Sequence, residues 1–167
     1  LYGHQNQLDP LFLASLGFQE SMLNQSAVSP TGAIGVMQLL PSTGDSLGVG
    51  NIRLLEPNIH AGAKYMSSLL YALSIQGDLS DAERNFFGVA AYNAGPNNIR
   101  KARELAKTMG FDPNKWFENV EMATAKLFGS ETFLYVRSVY KYYVVYDIRQ
   151  RNIPITQENL IPDRSVK

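Results

Sequence analysis

Asp9-Pro10-Leu11-Phe12-Leu13-Ala14-Ser15-Leu16-Gly17-Phe18-Gln19-Glu20 is the stretch on which the reading of this chain turns. Asp9 offers a side-chain acceptor at the N-cap, and Pro10 stands at the first helical position, where a missing N–H costs nothing. A helix is expected from here through Glu20 to about Asn24. At about 100° per residue, Phe12, Leu13, Leu16 and Leu23 fall on one apolar stripe, and Glu20 falls inside it. A carboxyl facing a core is costly unless it is paired or protonated. One reading is a buried Glu satisfied by an arginine or by backbone donors. The other is a carboxylic acid whose pKa is raised by desolvation, which suits a general acid near neutral pH.

The rest of the chain repeats the helical pattern. Ser26–Gly35 carries Pro30, Gly32 and Gly35 and reads as a loop, followed by a short helix from Pro41 to Gly48 or Gly50. Glu56–Pro57 opens a longer helix with apolar Ile59, Tyr65, Met66, Leu69, Leu70 and Leu73, stopped by Gly77. Ser80 and Glu83 form a capping box for a helix reaching about Tyr92. Pro96 begins another that ends near Gly110, and Asp112–Pro113 a short one carrying Trp116 and Phe117. Ser130 caps the last helix, to about Arg151. Leu1–Leu8 reads as a lead-in and residues 152–167, with Pro154 and Pro162, as an extended tail. There is no alternating strand pattern and no internal repeat. The expected architecture is all-α: one domain over residues 1–167, loop-rich around residues 25–55.

Composition narrows the function. The 167 residues are 45% hydrophobic and 18% charged, with nine Tyr, eight Phe and one Trp, a balance that excludes a disordered chain. Fifteen Lys+Arg offset fifteen Asp+Glu, so no broad basic field for nucleic acid is expected. With no cysteine there is no thiol catalysis, disulfide or cysteine-held metal. His4 and His60 stand 56 positions apart without a partnering acid motif, so no metal and no other cofactor is expected. No stretch is long and apolar enough to span a membrane.

Two further segments could serve a carboxyl at Glu20. Gly32-Ala33-Ile34-Gly35-Val36-Met37-Gln38 combines glycines, which let backbone approach a ligand, with an amide that donates and accepts. Ala90-Ala91-Tyr92-Asn93-Ala94-Gly95-Pro96 ends a helix with small residues around a Tyr–Asn pair. Taken singly, each is also an ordinary turn or helix end.

Together, and in order, these pieces resemble the catalytic domain of the soluble-lytic-transglycosylase family, glycoside hydrolase family 23. The resemblance is carried by Glu20-Ser21, by Ser29-Pro30-Thr31-Gly32-Ala33-Ile34-Gly35-Val36-Met37-Gln38-Leu39-Leu40-Pro41 and by Ala91-Tyr92-Asn93-Ala94-Gly95. Ile59-His60-Ala61-Gly62-Ala63-Lys64-Tyr65 and Glu131-Thr132-Phe133-Leu134-Tyr135-Val136 extend it, so that it spans about Asp9 to Tyr146. The segment Lys107–Ser130 is similar to the membrane-bound F-type subgroup. Val36 stands where the family usually has Leu, and Phe133 where it often has Arg.

The resemblance implies a lysozyme-like helical fold that cleaves the β-1,4 MurNAc–GlcNAc bond of peptidoglycan glycan strands. Glycosidases normally use two carboxyls, about 5–5.5 Å apart for retention or about 6.5–9.5 Å for inversion. Asp9 is about 16 Å from Glu20 along a helix, too far, while spacing leaves Asp45 and Glu56 open. By the resemblance no second carboxylate acts, and Glu20 serves as acid and then base. Ser21 and Tyr92 would position or polarise the sugar; Met37, Gln38 and Asn93 would line the glycan groove; Glu131 and Tyr135 would close its opposite wall. The carboxyl of Glu20 is expected at the floor of that groove, without an arginine partner. A goose-type muramidase hydrolysing the same bond, and an idle glycan-binding module, stand as alternatives. Ser21 after Glu20 and Ala94 after Tyr92–Asn93 favour the transglycosylases. With no net charge to steer it to an anionic polymer, and with Leu1 at its start, the chain is expected to follow a membrane anchor or companion domain. Location is expected to be periplasmic, at the outer membrane, and activity only weakly dependent on ionic strength.

Overall fold

The computed structural model describes residues 1–75 and 79–151, and among these the architecture is helical throughout. The elements are α1 (Tyr2–Gln5), α2 (Pro10–Ser21), α3 (Pro41–Leu47), α4 (Leu55–Ile75), α5 (Asp81–Ala94), α6 (Pro96–Thr108), α7 (Glu121–Phe128) and α8 (Glu131–Gln150). A wide turn, Trp116–Val120, leads into α7. The expected stop at Gly77 and the tail from residue 152 lie outside the described residues.

Helix α5 is the pivot. Phe87, Gly88, Val89, Ala90 and Ala91 are buried in succession, so this helix is covered on every side. It packs against α4, α6 and α8, while α2 lies along α8. Trp116, fully buried, sets its indole edge-on to Phe87 at 5.6 Å. Leu16, Met66, Ile99, Val136 and Val139 complete the same continuous core.

Local chemistry explains the helix starts. Asp9 Oδ1 accepts from Leu11 N at 2.8 Å, and Pro10 opens α2 as expected. Ser80 Oγ accepts from Glu83 N at 3.2 Å, but the capping box is only half made. Glu83 turns away to accept Trp116 N at 2.7 Å, tying α5 to the wide turn. Ser130 stands at the N-cap of α8 in a helical backbone conformation, from which its hydroxyl makes no capping bond.

Four expectations need correction. Helix α2 stops at Ser21, because Met22 and Leu23 adopt left-handed backbone (φ 54° and 63°). Leu23 therefore leaves the apolar stripe and is 49% exposed. The lead-in carries the one-turn helix α1, fastened to α4 by Tyr2, whose ring stacks on His60 at 4.5 Å and whose hydroxyl donates to Glu56. Asp112–Pro113 starts no helix. Asp112 Oδ1 accepts Asn114 N and Asn119 Oδ1 accepts Asp112 N, closing a turn before any helical bond can form. Finally, α7 was absent from the expected elements; Phe117 (ψ 136°) and Glu118 (φ 60°) interrupt the pattern just before it.

The loop between α2 and α3 is held from beneath by Asn58, a fully buried side chain on α4. Its Nδ2 donates to Ile34 O (2.9 Å) and Ile52 O (3.0 Å), and its Oδ1 accepts from Met37 N (2.8 Å). Gln25 repeats the device, donating to Ile52 O and accepting from Val36 N. Gly35 has φ 78°, and a Cβ there would lie 2.5 Å from Asn58 Nδ2, so only glycine lets the loop sit on its support.

Candidate active site

Glu20 occupies the last turn of α2, where the helix meets α8. Tyr135, buried on α8, donates its hydroxyl to Glu20 Oε1 across 115 positions of sequence. Burial pushes the Glu20 carboxyl up to about 7, against the Tyr135 hydrogen bond, which favours the charged form. Among the described residues no arginine, lysine or histidine pairs with it, and the three ion pairs found there lie elsewhere. The arginine-satisfied reading of Glu20 is thereby set aside.

Tyr92, at the end of α5, donates its hydroxyl to Met37 O at 2.8 Å and so clamps α5 to the glycine-bearing loop. Its phenol and that of Tyr135 are held well above their usual range, first by burial and then by the nearby Glu20 charge. The Tyr65 ring of α4 stands 5.2 Å from that of Tyr92. The result is one carboxyl among buried phenols, which are neutral and able to donate at any ordinary pH. No second carboxylate contributes to the Glu20 shift. Glu56 is turned to Tyr2, and Asp45 is exposed on α3.

The remaining expected residues fall into two groups. Met37 reaches the site by its main chain: its side chain is 1% exposed and packs onto Gly62, where a Cβ would lie 2.5 Å from Met37 Cγ. Gln38 Nε2 donates to Gly35 O (2.9 Å) and Ala27 O (3.3 Å), so its amide nitrogen braces its own loop. Ser21 Oγ donates to Val36 O (3.0 Å) and accepts from Asn24 N (3.0 Å), joining the helix end to that loop. Asn93 is half-buried beside Tyr92. Glu131 is exposed in the first turn of α8, one turn before Tyr135, with no bond to the Glu20 group among the described residues.

Sequence reasoning passed over Asn58 and Gln25, and it took Tyr65 as an apolar helix position and a piece of the resemblance, with no role at the site. A polar residue in a first helical turn, as Asn58 is, looks ordinary because orphan backbone donors there favour it. Only its complete burial marks it out. Phe133, the departure from the usual arginine, flanks the Arg137 guanidinium together with Phe117, each ring centroid 5.9 Å from it, while Arg137 pairs with buried Glu121.

A desolvated acid on a helix end, a glycine loop beneath it and a Tyr–Asn helix terminus on an all-α frame define the class. The chain belongs to the family described as Transglycosylase SLT domain, which matches residues 2–116. It is 34% identical over 155 residues to membrane-bound lytic murein transglycosylase F of Ectopseudomonas mendocina, covering 84% of this chain and 31% of that protein. A second relative, membrane-bound lytic murein transglycosylase F 1 of Alkalilimnicola ehrlichii, is 41% identical over 109 residues, 65% of this chain and 22% of that one. The chain thus spans less than a third of these relatives. The fold is that of the 70-kDa soluble lytic transglycosylase SLT70 from Escherichia coli, at TM-score 0.68 and 24% identity over 97% of this chain and 25% of that one. The same agreement, TM-score 0.68 and 25% identity over the same shares, holds for the complex of the 70-kDa enzyme with bulgecin A. This is the lysozyme-like helical frame. Among the described residues no helix is long and apolar enough to cross a membrane.

Proposed function

We propose that this chain is the catalytic domain of a peptidoglycan lytic transglycosylase, which cleaves the β-1,4 MurNAc–GlcNAc bond and leaves a 1,6-anhydroMurNAc end. The single observation that carries the reading is Glu20: half-buried, without a cationic partner among the described residues, and raised to about 7 beside two phenols. Protonated Glu20 gives its proton to the glycosidic oxygen as the C1–O bond breaks. The N-acetyl oxygen of the same sugar closes on C1 and carries the positive charge. Glu20, now a carboxylate, takes the proton from the muramoyl C6 hydroxyl, whose oxygen displaces the N-acetyl oxygen at C1. The proton count closes at Glu20, and no water is consumed. One carboxyl serves both steps because a pKa near neutrality makes it a competent acid and a competent base.

In this reading Tyr135 orients the Glu20 carboxyl, Tyr92 fixes the Met37 carbonyl at the edge of the site, and Asn93 and Glu131 meet the glycan. Ser21 and Gln38 act by holding the loop against α2. In this reading the full-length protein works in the periplasm at the outer membrane, held by an anchor or companion domain; that the two relatives are named membrane-bound supports attachment to a membrane. Digestion of purified sacculi followed by mass analysis of the products tests the reading. Anhydro ends are expected; reducing ends would make the chain a muramidase, and no product would leave a binding module.

A further inference from the structure

The charge of this neutral chain is unevenly laid out. Residues 1–95 carry three Lys and Arg against seven Asp and Glu, and residues 96–167 carry twelve against eight. The cationic excess is densest on α6, which begins at Pro96, directly after the Tyr92–Asn93 pair. Ile99, Ala102 and Ala106 bury one face of this helix in the core. On the adjoining flank Arg100, Arg103 and Lys107 line a cleft of about 360 Å³ with Glu104 and Pro113.

The three cations are not equivalent. Arg103 is committed to the protein: Nε donates to Pro113 O (2.8 Å), a terminal nitrogen to Asn114 Oδ1 (2.6 Å), and the guanidinium lies 5.1 Å from the Phe87 ring centroid. It forms the back of the cleft. Arg100 and Lys107 are exposed at its mouth, and neither is in an ion pair among the described residues. They stand seven residues apart, about 10 Å along the helix, with the first about 6 Å from the helix start.

We infer that this flank of α6 binds carboxylates of the peptide stems carried by the glycan strand, so that the domain recognises peptide as well as sugar. The inference rests on the proposed peptidoglycan activity and extends that site along the helix leading away from Asn93. A cleft with a fixed guanidinium at its back and exposed cations at its rim suits a carboxylate, which accepts from several donors at once. A bilayer surface fits less well: it rewards flat clusters of four or more cations, whereas here three share a concavity with Glu104.

The experiment compares the wild type with Arg100→Glu/Lys107→Glu, leaving Arg103 in place. Two substrates are used: sacculi, and glycan strands stripped of stems by an amidase. The double variant should raise KM on stem-bearing material about tenfold with kcat little changed, and should match the wild type on stripped strands. Equal KM on sacculi, or an equal loss on both substrates, overturns the inference. In parallel, a soluble peptide stem is titrated into the Glu20→Gln protein and followed by amide NMR. Resonances of residues 100–107 should shift, and should not do so when the two substitutions are added. This arm reads stem binding even if the protein cleaves nothing, so a failure of the proposed activity is told apart from a failure of the stem site. Loss of binding to anionic phosphatidylglycerol vesicles with no change in either stem assay would assign the flank to lipid, and the inference would fall.

Discussion

In the proposed mechanism Glu20 joins two opposed demands in one side chain. It must be desolvated enough to hold a proton near neutrality and reachable enough to pass that proton on. Its raised pKa makes the rate depend on pH in a definite direction: the acid form starts the reaction, so kcat/KM should fall as pH rises through about 7. The Tyr135 hydrogen bond lowers that pKa, so Tyr135→Phe should move the falling limb to higher pH, by about one unit or less, measurable in a pH–rate profile. Glu20→Gln should lose at least about 10²-fold in turnover while keeping its fold, since general acid catalysis contributes about 10²–10⁴-fold. A variant retaining a tenth of the wild-type rate would remove Glu20 from its role. The same substitution has a stability signature. The folded protein binds this proton more tightly than the unfolded chain, so the stability of the wild type declines as pH rises from about 4.5 to about 7. Gln escapes that decline. The variant should therefore be the more stable at pH 8, by at most about 3 kcal/mol, with the advantage gone by about pH 4, as thermal melts at the two pH values would show. The misplaced carboxyl on α2 was visible in the sequence because helical periodicity alone brings it to the apolar face. Tyr135 was expected only by resemblance, and as part of the opposite wall rather than as the partner of Glu20, because the spacing of a tyrosine-rich helix does not tell which tyrosine faces inward.

Helix starts were legible where one side chain decides them and illegible where two compete. Asp9–Pro10 and Asp112–Pro113 look alike in sequence, yet only the first opens a helix. After Asp112 both Asn114 and Asn119 enter local bonds that close a turn instead. The loop between α2 and α3 was legible as a loop, but its rigidity was not, because that comes from Asn58, a residue of α4. Three bonds to Ile34, Met37 and Ile52 end on this one amide. Asn58→Leu would orphan the Met37 N–H, costing about 1–3 kcal/mol, and would leave Ile34 O and Ile52 O with one donor each, from Leu39 N and Gln25. The expected outcome is a loss of about 2–4 kcal/mol in denaturant unfolding and faster hydrogen exchange over residues 24–40. Activity should fall with it, because Met37 O anchors Tyr92. Gly62 makes the matching constraint in packing: Gly62→Ala would press on the Met37 side chain and should cost about 1–3 kcal/mol.

For the whole molecule, zero net charge means little long-range attraction to an anionic wall, while the cations on α6 act at contact range. Raising salt from about 0.05 to 0.2 M, which shortens the screening length from about 14 to 7 Å, should therefore slow cleavage of sacculi by less than about tenfold. A steeper dependence would mean that a field reaches beyond the surface. The all-α frame itself was legible throughout, since caps and period agree along most of the chain. The pairing of α2 with α8 was not, because nothing local in either helix names the other. If the proposed activity holds, that pairing also sets when the molecule becomes dangerous to a wall. The acid emerges early in synthesis and Tyr135, together with the face that covers α2, only near the end. A chain halted before α8, or clipped within it, carries every residue of the glycine loop and the Tyr–Asn pair, but lacks Tyr135, the hydrogen-bond partner of Glu20, and the helix that packs along α2. On the proposed mechanism, catalytic competence is thus withheld from unfinished copies by the order in which the two helices are made.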